Sequence, residues 1–269
     1  MESTVQETSS LSLSELHDNH FDGNKLWETY SGKGSGFSED SIDQIMPCLI
    51  KIFSSGVMRG KTLCQLTLPF HIHYTFPASE YFKEIILGTT NESSLQDIEK
   101  WLKNEPDTFD MSHIAPYLCD GETDRERWIK KQNMLRSKMK QVYQYNISKS
   151  NVFDPNVVPP VDCLLLTYCL ELLTLDKETY CKALKNVSLS VKPGGYVIMV
   201  IAYQATFYMV GNVKFPHLCF DEGFLRKALT DTGYCIEKLL VLPRKCQGLF
   251  DICDYTHKIV LYARKEAGG

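Results

Sequence analysis

Two histidines separated by one residue, His71 and His73, have the spacing in this sequence that most resembles a metal-binding pair. Alternate residues of a strand share one face, so both imidazoles could approach a single zinc ion. The sequence offers no evident third ligand, and none of its ten cysteines forms a C-x-x-C pair. The pattern therefore favours polar side chains at a pocket rim over a zinc site or a thioredoxin-type redox site.

His217 is the other histidine that could serve chemistry, as a general base beside a bound small molecule. A single histidine in a loop is more often simply hydrated, so the residue type alone assigns it no role. Of the cysteines, Cys64, Cys163 and Cys169 lie inside apolar runs, where a free thiol acts as a small hydrophobe. Because residues 1–16 lack the basic and apolar regions of a signal peptide, we expect free thiols in the cytoplasm.

Length and composition exclude several classes of protein. The chain has 269 residues, of which 43% are hydrophobic and 23% charged, and its formal net charge is −4. This apolar content is too high for a disordered chain, and the mild acidity does not suit a nucleic-acid binder, which needs a concentrated basic face. No apolar run reaches the length that spans a bilayer. We therefore expect a soluble globular protein without nucleic-acid or membrane partners.

The elements that must position these residues alternate between strands and helices. Apolar periodicity predicts helices at residues 41–53, 95–103, 124–139, 180–189 and 221–233. It predicts strands at residues 62–66, 84–88, 141–147, 161–167, 196–202, 236–242 and 257–263. This order predicts a doubly wound, mostly parallel α/β sheet, with an antiparallel strand at one edge because no helix separates the last two strands. Residues 1–20 are predicted to be a flexible leader, and residues 21–269 a single domain.

Several stretches of the sequence carry a family resemblance. The turn Lys192-Pro193-Gly194-Gly195-Tyr196 is similar to the turn before the fifth strand of class I S-adenosylmethionine-dependent methyltransferases. Residues 82–85, 99–103 and 159–170 resemble the family of nicotinamide, phenylethanolamine and indolethylamine N-methyltransferases. The resemblance runs almost without gaps over residues 19–264. It implies a seven-stranded, Rossmann-like fold with an N-terminal helical lid.

The resemblance also implies a cofactor site at the carboxyl ends of the first strands, where the family has a turn of the form D-I-G-S-G-P. The matching residues 65–70 are Q-L-T-L-P-F, so Thr67 and Pro69 replace the two glycines. Thr67 adds a branched side chain, and Pro69 fixes φ and removes an amide donor. We therefore expect the methionine end of the cofactor pocket to be filled or reshaped.

The other cofactor positions implied by the resemblance are altered to different degrees. Thr89 replaces the acid that accepts both ribose hydroxyls, and a neutral hydroxyl cannot make that charge-assisted bidentate contact. On the adenine side, an Asp-Val pair becomes Asn146-Ile147, whereas Thr167 matches outright. The three remaining matched positions are Ser94 in place of an Asn, His73 in place of a Tyr, and Tyr30 in the lid.

The acceptor side shows the same pattern. Ile201 replaces an acid that ends strand five, and Pro216-His217 replaces an expected serine, whereas Tyr208 is retained. Because methyl transfer in this family depends on positioning two reactants and excluding water, losing these contacts removes most of the catalysis. No residue of the sequence is assigned a catalytic role.

Two hypotheses of different class follow. The first is a catalytically degenerate homologue that binds S-adenosylmethionine poorly and needs no cofactor. It would either hold an apolar or aromatic small molecule in the old cleft or act as a structural protein. The alternative is an active N-methyltransferase that holds S-adenosylmethionine through Asn146, Thr167 and altered backbone contacts.

Overall fold

A computed structural model describes residues 11–68, 71–106, 108–119 and 124–267. The strands are β1 (Gly60–Thr67), β2 (Phe82–Thr89), β3 (Met139–Gln144), β4 (Val161–Thr167), β5 (Val191–Tyr203), β6 (Phe207–Val210), β7 (Val213–Pro216), β8 (Tyr234–Pro243) and β9 (His257–Lys265). The helices are α1 (Leu13–His20), α2 (Gly23–Tyr30), α3 (Ile45–Ser54), α4 (Glu92–Leu102), α5 (Ala115–Leu118), α6 (Arg125–Lys138), α7 (Leu170–Leu173), α8 (Lys177–Ser188) and α9 (Glu222–Asp231).

The main sheet has seven strands in the order β3-β2-β1-β4-β5-β9-β8. Strands β1 to β5 run parallel to one another, and β9 runs antiparallel to both β5 and β8. The predicted doubly wound sheet with antiparallel pairing at one edge is thereby confirmed. The strand order reverses between β1 and β4, which places the crevice expected of such folds at the carboxyl ends of these two strands.

The apolar pattern of the strands explains why the sheet is covered on both faces. Along β4, Cys163 and Leu165 point into one buried cluster, and Leu164 and Leu166 point into the other. Two buried faces require the continuous apolar run that predicted this strand. Within the described residues, no helix is both long enough and apolar enough to cross a bilayer.

Helix starts follow the capping residues in the sequence. The Asn91 side chain accepts from the Ser94 backbone N–H at 2.9 Å, and the Asp124 side chain accepts from Glu126 at 2.9 Å. These side chains satisfy backbone donors that an α-helix leaves unpaired in its first turn. The helices predicted at residues 95–103 and 124–139 are therefore confirmed, with starts set by their caps.

The leader prediction was wrong for the part of it that the structure describes. Ser12 and Glu15 form a reciprocal capping box that starts α1, and Leu16 of this helix is 96% buried, with 4% of its surface exposed. A capped start and a buried apolar side chain stabilise the helix against the domain. Residues 1–10 lie outside the described ranges.

A small two-stranded sheet, β6 paired with β7, lies against the N-terminal helices. The Tyr30 hydroxyl at the end of α2 donates to the Met209 carbonyl oxygen at 3.0 Å and lies 3.2 Å from that of Ile252. These bonds fix α2 over the carboxyl-terminal side of the sheet. The N-terminal elements thus form the wall expected of a lid.

Candidate functional site

The carboxyl end of β1 is closed by hydrogen bonds between buried side chains. Thr67 is fully buried, and its hydroxyl donates to the Leu68 carbonyl oxygen at 2.5 Å. Gln65 Nε2 donates to the His71 carbonyl oxygen and to Thr167 Oγ1, each at 2.9 Å. Thr67 and Thr167 therefore bond within the protein instead of lining an open site. Pro69 lies outside the described residues.

Tyr145, the residue that follows β3, covers this end of the sheet. Its hydroxyl lies 3.3 Å from the Thr67 carbonyl oxygen and 3.2 Å from Cys169 Sγ. The ring also fills the space above Gly88, where an added Cβ would lie 3.0 Å from Tyr145 Cδ1 and 2.5 Å from Leu66 Cδ2. The crevice at the ends of β1 and β2 is thus occupied by side chains of the chain itself.

Thr89 and Ser94 are both withdrawn from the cleft beside β2. Thr89 is fully buried, and its Oγ1 has no hydrogen-bond partner in the described chain. Ser94 is 2% exposed, and its hydroxyl donates to the Asn91 side chain at 2.5 Å as part of the helix cap. Neither side chain reaches the open cleft, which is lined by the neighbouring Thr90 and Asn91.

An outer cleft of about 740 Å³ opens beside the ends of β2 and β3. Asn146 and Ile147 line it, together with residues of α1 and α8. The Asn146 side-chain oxygen already accepts from the Ser148 N–H at 2.9 Å and from its hydroxyl at 2.6 Å. These bonds also end β3 at Gln144, three residues earlier than the predicted strand end at residue 147. Asn146 is therefore exposed, with its side-chain oxygen engaged in a turn, whereas Ile147 is mostly buried.

A separate inner cavity of about 40 Å³ lies between the N-terminal helices and the sheet. It brings together three predicted residues, Tyr30, Tyr208 and His217, with Lys258 of β9. The remaining lining residues are Leu26, Phe37, Ser41, His71, Tyr168, Leu172, Ala202 and Cys253. No lining residue is common to this cavity and the outer cleft in the described part of the chain.

Two predicted pocket residues do not line the inner cavity. Ile201 points into the apolar cluster on the opposite face of the sheet, and its neighbour Ala202 lines the cavity instead. Strand alternation explains this difference, because adjacent residues of β5 face opposite sides. His73 is fully buried among aromatic rings, with its ring centroid 4.0 Å from that of Tyr74 and 5.3 Å from that of Trp27.

Burial sets the protonation states around the inner cavity. It lowers the pKa of His71 to about 3 and that of His217 to about 4, so both imidazoles are neutral at pH 7. Burial also lowers the pKa of Lys258 to about 8 and raises that of Glu171 to about 7. Lys258 is therefore mostly an ammonium at pH 7. Neither Lys258 nor Glu171 was singled out in the sequence.

A metal centre at His71 and His73 finds no support in the described ranges. The two residues belong to a loop and a 3-10 segment (Ile72–Glu80), not a strand, and their ring centroids are 5.8 Å apart. The described residues contain no group of three or more His, Cys, Asp or Glu that could hold a metal ion. Because His71 and His73 do not lie in a strand, their alternate spacing does not place the two side chains on one strand face.

The strand order and the crevice define a class I S-adenosylmethionine-dependent methyltransferase fold. A solved structure of magnesium protoporphyrin IX methyltransferase from Synechocystis PCC 6803, with bound S-adenosylhomocysteine, superposes with a TM-score of 0.57 at 9% identity. That match covers 95% of this chain and 100% of the other. More specifically, the chain belongs to the NNMT/PNMT/TEMT family, whose model matches residues 10–266.

Curated relatives within this family span most of the chain. Human nicotinamide N-methyltransferase is 33% identical over 242 residues, which cover 87% of this chain and 92% of that protein. Indolethylamine N-methyltransferase of Oryctolagus cuniculus is 30% identical over 230 residues, covering 85% and 88%. The family resemblance of the sequence is thereby confirmed.

Proposed function

We propose that this chain is a catalytically degenerate N-methyltransferase homologue with little or no affinity for S-adenosylmethionine. The observation that carries the proposal is the contact between Tyr145 and Thr67 across the end of β1. In folds of this class the cofactor lies in the crevice at that end, against a bare backbone turn. Here the crevice contains a tyrosine ring, a buried threonine and the Cys169 thiol.

The ribose position supports the same conclusion. Thr89 is fully buried and uncharged, so it offers no acceptor to a ligand in the outer cleft. Loss of a charge-assisted hydrogen bond costs about 1.5–3 kcal/mol, which is roughly one to two decades in affinity. The blocked methionine end adds to this loss.

The acceptor side of the proposed homologue is kept as a small cavity. Tyr30 and Tyr208 place aromatic groups in its wall, and Leu172 and Ala202 add apolar surface. Such a lining suits a small molecule with an apolar or aromatic body. We propose that the chain serves in the cytoplasm as a small-molecule-binding protein that requires no cofactor. If no ligand is found, the same degenerate fold has a purely structural role.

The alternative is an active, S-adenosylmethionine-dependent N-methyltransferase, and one observation favours it. The outer cleft of about 740 Å³ is large enough for a nucleoside and is lined by the adenine-side residues Asn146 and Ile147. Under this alternative the cofactor would enter by its adenosine end and displace Tyr145. Thr167 would contribute only after release from Gln65.

Calorimetry with S-adenosylmethionine and S-adenosylhomocysteine tests the two functions directly. We expect no binding tighter than about 100 μM, which corresponds to roughly 5.5 kcal/mol. The Synechocystis methyltransferase, whose structure holds S-adenosylhomocysteine, is the positive control. Tighter binding by this chain, with methyl transfer to any amine, would establish the alternative. Native mass spectrometry of the protein from its natural source then separates a ligand carrier from a structural protein by the presence of a co-purifying mass.

A further inference from the structure

Lys258 is a buried cation that forms no ion pair within the described part of the chain, where Asp40 and Glu171 act on it only at longer range. Lys258 is 5% exposed. Its Nζ lies 4.5 Å from the ring centroid of Tyr168 and 4.1 Å from that of Tyr255. No carboxylate oxygen of the described residues lies within 4.0 Å of Nζ, and Nζ has no hydrogen-bond partner there. Aromatic faces compensate part of the charge but accept none of its N–H donors.

The ammonium borders free space rather than packed atoms. The inner cavity of about 40 Å³ exceeds the roughly 10–15 Å³ that one water needs, and it is smaller than the ~150 Å³ cavity that holds benzene. An occupant with three or four non-hydrogen atoms matches this volume. Leu172 and Ala202 supply an apolar wall for a methyl-sized end of it.

His217 is one of two cavity-lining residues, with Tyr168, that carry a buried polar atom without a hydrogen-bond partner in the described chain. Its Nδ1 lies 3.1 Å from the Leu218 carbonyl oxygen, which can only accept, so Nδ1 carries the proton of the neutral ring. Nε2 is then an acceptor, and it is buried without a hydrogen-bond partner in the described residues. An occupant must therefore accept from Lys258 and place a proton at His217.

We propose that the inner cavity binds a small monocarboxylate, with one oxygen accepting from Lys258 Nζ and with one proton taken up between the other oxygen and His217 Nε2. The inference rests on the proposed function, since it names the ligand class for the same cavity. No covalent step is involved. The carboxylate supplies the negative charge that the buried ammonium lacks, and the proton satisfies both the imidazole and the second oxygen.

Several titratable groups surround this pair and shape its dependence on pH. The groups that interact electrostatically with Lys258 or lie beside it are Asp40, His71, Glu171, His217, Arg244, Cys246 and Cys253. Ionisation of Glu171 near pH 7 adds a negative charge, which opposes a bound anion. The proton taken up at His217 and the ionisation of Glu171 both weaken binding as pH rises. We therefore expect the affinity for the carboxylate to fall about tenfold per pH unit between about pH 6 and 8.

The test uses acetate as the probe and the full chain as the protein. We expect saturation-transfer NMR of the acetate methyl group to give a Kd on the order of 1 mM at pH 6. Lys258→Met should weaken binding at least tenfold, whereas Lys214→Met, at an exposed lysine that also stacks on a ring, should leave it unchanged. Lys258→Arg keeps the positive charge and should retain acetate binding. Its result distinguishes loss of the charge from a general loss of folding as the reason why Lys258→Met binds weakly.

His217→Gln checks the proton. This variant should keep measurable acetate binding but lose most of the fall in affinity between pH 6 and 8, because its amide does not titrate. Acetamide, which is isosteric but neutral, should bind the wild-type chain at least tenfold more weakly. Equal binding of acetate and acetamide, equal binding by Lys258→Met, or no binding at 100 mM acetate would each overturn the inference. None of these results depends on S-adenosylmethionine, so the proposed degeneracy is judged separately by the cofactor titration.

Discussion

The hydroxyl of Tyr145 lies 3.3 Å from the carbonyl oxygen of Thr67, and this contact joins the segment after β3 to the end of β1. The two residues are 78 positions apart in the sequence and meet because β2 places β3 one strand away from β1 in the sheet. Their contact occupies the crevice where related folds accommodate a cofactor. The state of this crevice therefore determines what the chain can bind.

Removing the Tyr145 hydroxyl should lower stability without disturbing the fold. In Tyr145→Phe the ring still fills the space above Gly88, but the contacts with the Thr67 carbonyl oxygen and Cys169 are lost. We expect the free energy of unfolding in urea to fall by about 1 kcal/mol. Tyr143→Phe is the matched control and should change it by less than about 0.5 kcal/mol. Equal effects of the two variants would contradict a specific role for the hydroxyl.

An acid at position 89, where the family resemblance implies a ribose-binding carboxylate, should not create a cofactor site. Thr89 is fully buried, so the carboxylate of Thr89→Asp would be an unpaired buried charge. We expect a loss of roughly 3 kcal/mol or more in the free energy of unfolding at pH 7 and no gain in S-adenosylhomocysteine binding. Thr90→Asp, one residue on and lining the cleft, is the control and should be tolerated. Nucleoside binding gained by Thr89→Asp would show that this side chain can reach the cleft.

Asp40 fixes the N-terminal region to the loop between β8 and β9. Its carboxylate accepts from the Lys245 and Cys246 backbone N–H groups at 2.8 and 3.2 Å and from the Tyr255 hydroxyl at 2.6 Å. Burial alone would raise the pKa of Asp40, but these hydrogen bonds outweigh it and hold the pKa below its ordinary value. The charged form is therefore favoured by folding, and its contribution is lost as pH falls below about 4.

For Asp40→Asn we expect a loss of about 2 kcal/mol in the free energy of unfolding at pH 7, since an amide cannot accept all of these bonds. The difference from wild type should shrink when both proteins are unfolded in urea near pH 3. Glu39→Gln, at an exposed position next to Asp40, is the control and should change little. A difference that stays constant from pH 7 to 3 would contradict the assignment to the Asp40 carboxylate.

Lys258 lowers stability at neutral pH. Its folded pKa of about 8 lies below the value of about 10.4 for an unfolded chain, so the unfolded state binds more protons between these values. Stability of the wild-type chain should therefore rise as pH increases from 8 to 10. At pH 7, Lys258→Met should be more stable than wild type by about 1–3 kcal/mol, after loss of the contacts with Tyr168 and Tyr255.

Urea unfolding at pH 7, 8, 9 and 10 measures this effect, with tryptophan fluorescence as the readout. Lys214→Met should follow the wild-type curve, because its parent lysine is exposed. The Lys258→Met curve should lack the rise that wild type shows above pH 8. A destabilised Lys258→Met with an unchanged pH profile would mean that the ammonium is compensated in the folded state.

Local sequence signals predicted the fold where one physical effect dominated. The apolar run at residues 161–167 matches β4 residue for residue, because the middle of a central strand that is covered on both faces is apolar. The helices predicted from residues 95 and 124 begin at Glu92 and Arg125, directly after the capping residues Asn91 and Asp124, since capping is a local property. The family resemblance supplied the candidate positions of a cofactor site, and these remain predictions.

The features that decide the site depend on contacts between distant segments. Lys258 lies at the start of β9, a strand with neighbours on both sides, and only the three-dimensional arrangement shows that its side chain is directed inward. The sequence signal that could have identified this residue was a lysine within the apolar run that forms β9. Tyr145 counted only as one of several sheet tyrosines, because nothing local in the sequence places it over β1.

The absence of any common lining residue between the outer cleft and the inner cavity bears on the choice of chemical probes. Between the two compartments, the Tyr208 hydroxyl lies 3.4 Å from His17 Nε2. Tyr208 lines the inner cavity, and His17 lines the outer cleft. A bisubstrate analogue, which links a nucleoside to an acceptor group through a short tether, needs an open passage between two such compartments. We therefore expect a compound of this type to bind this chain no more tightly than its separate halves do.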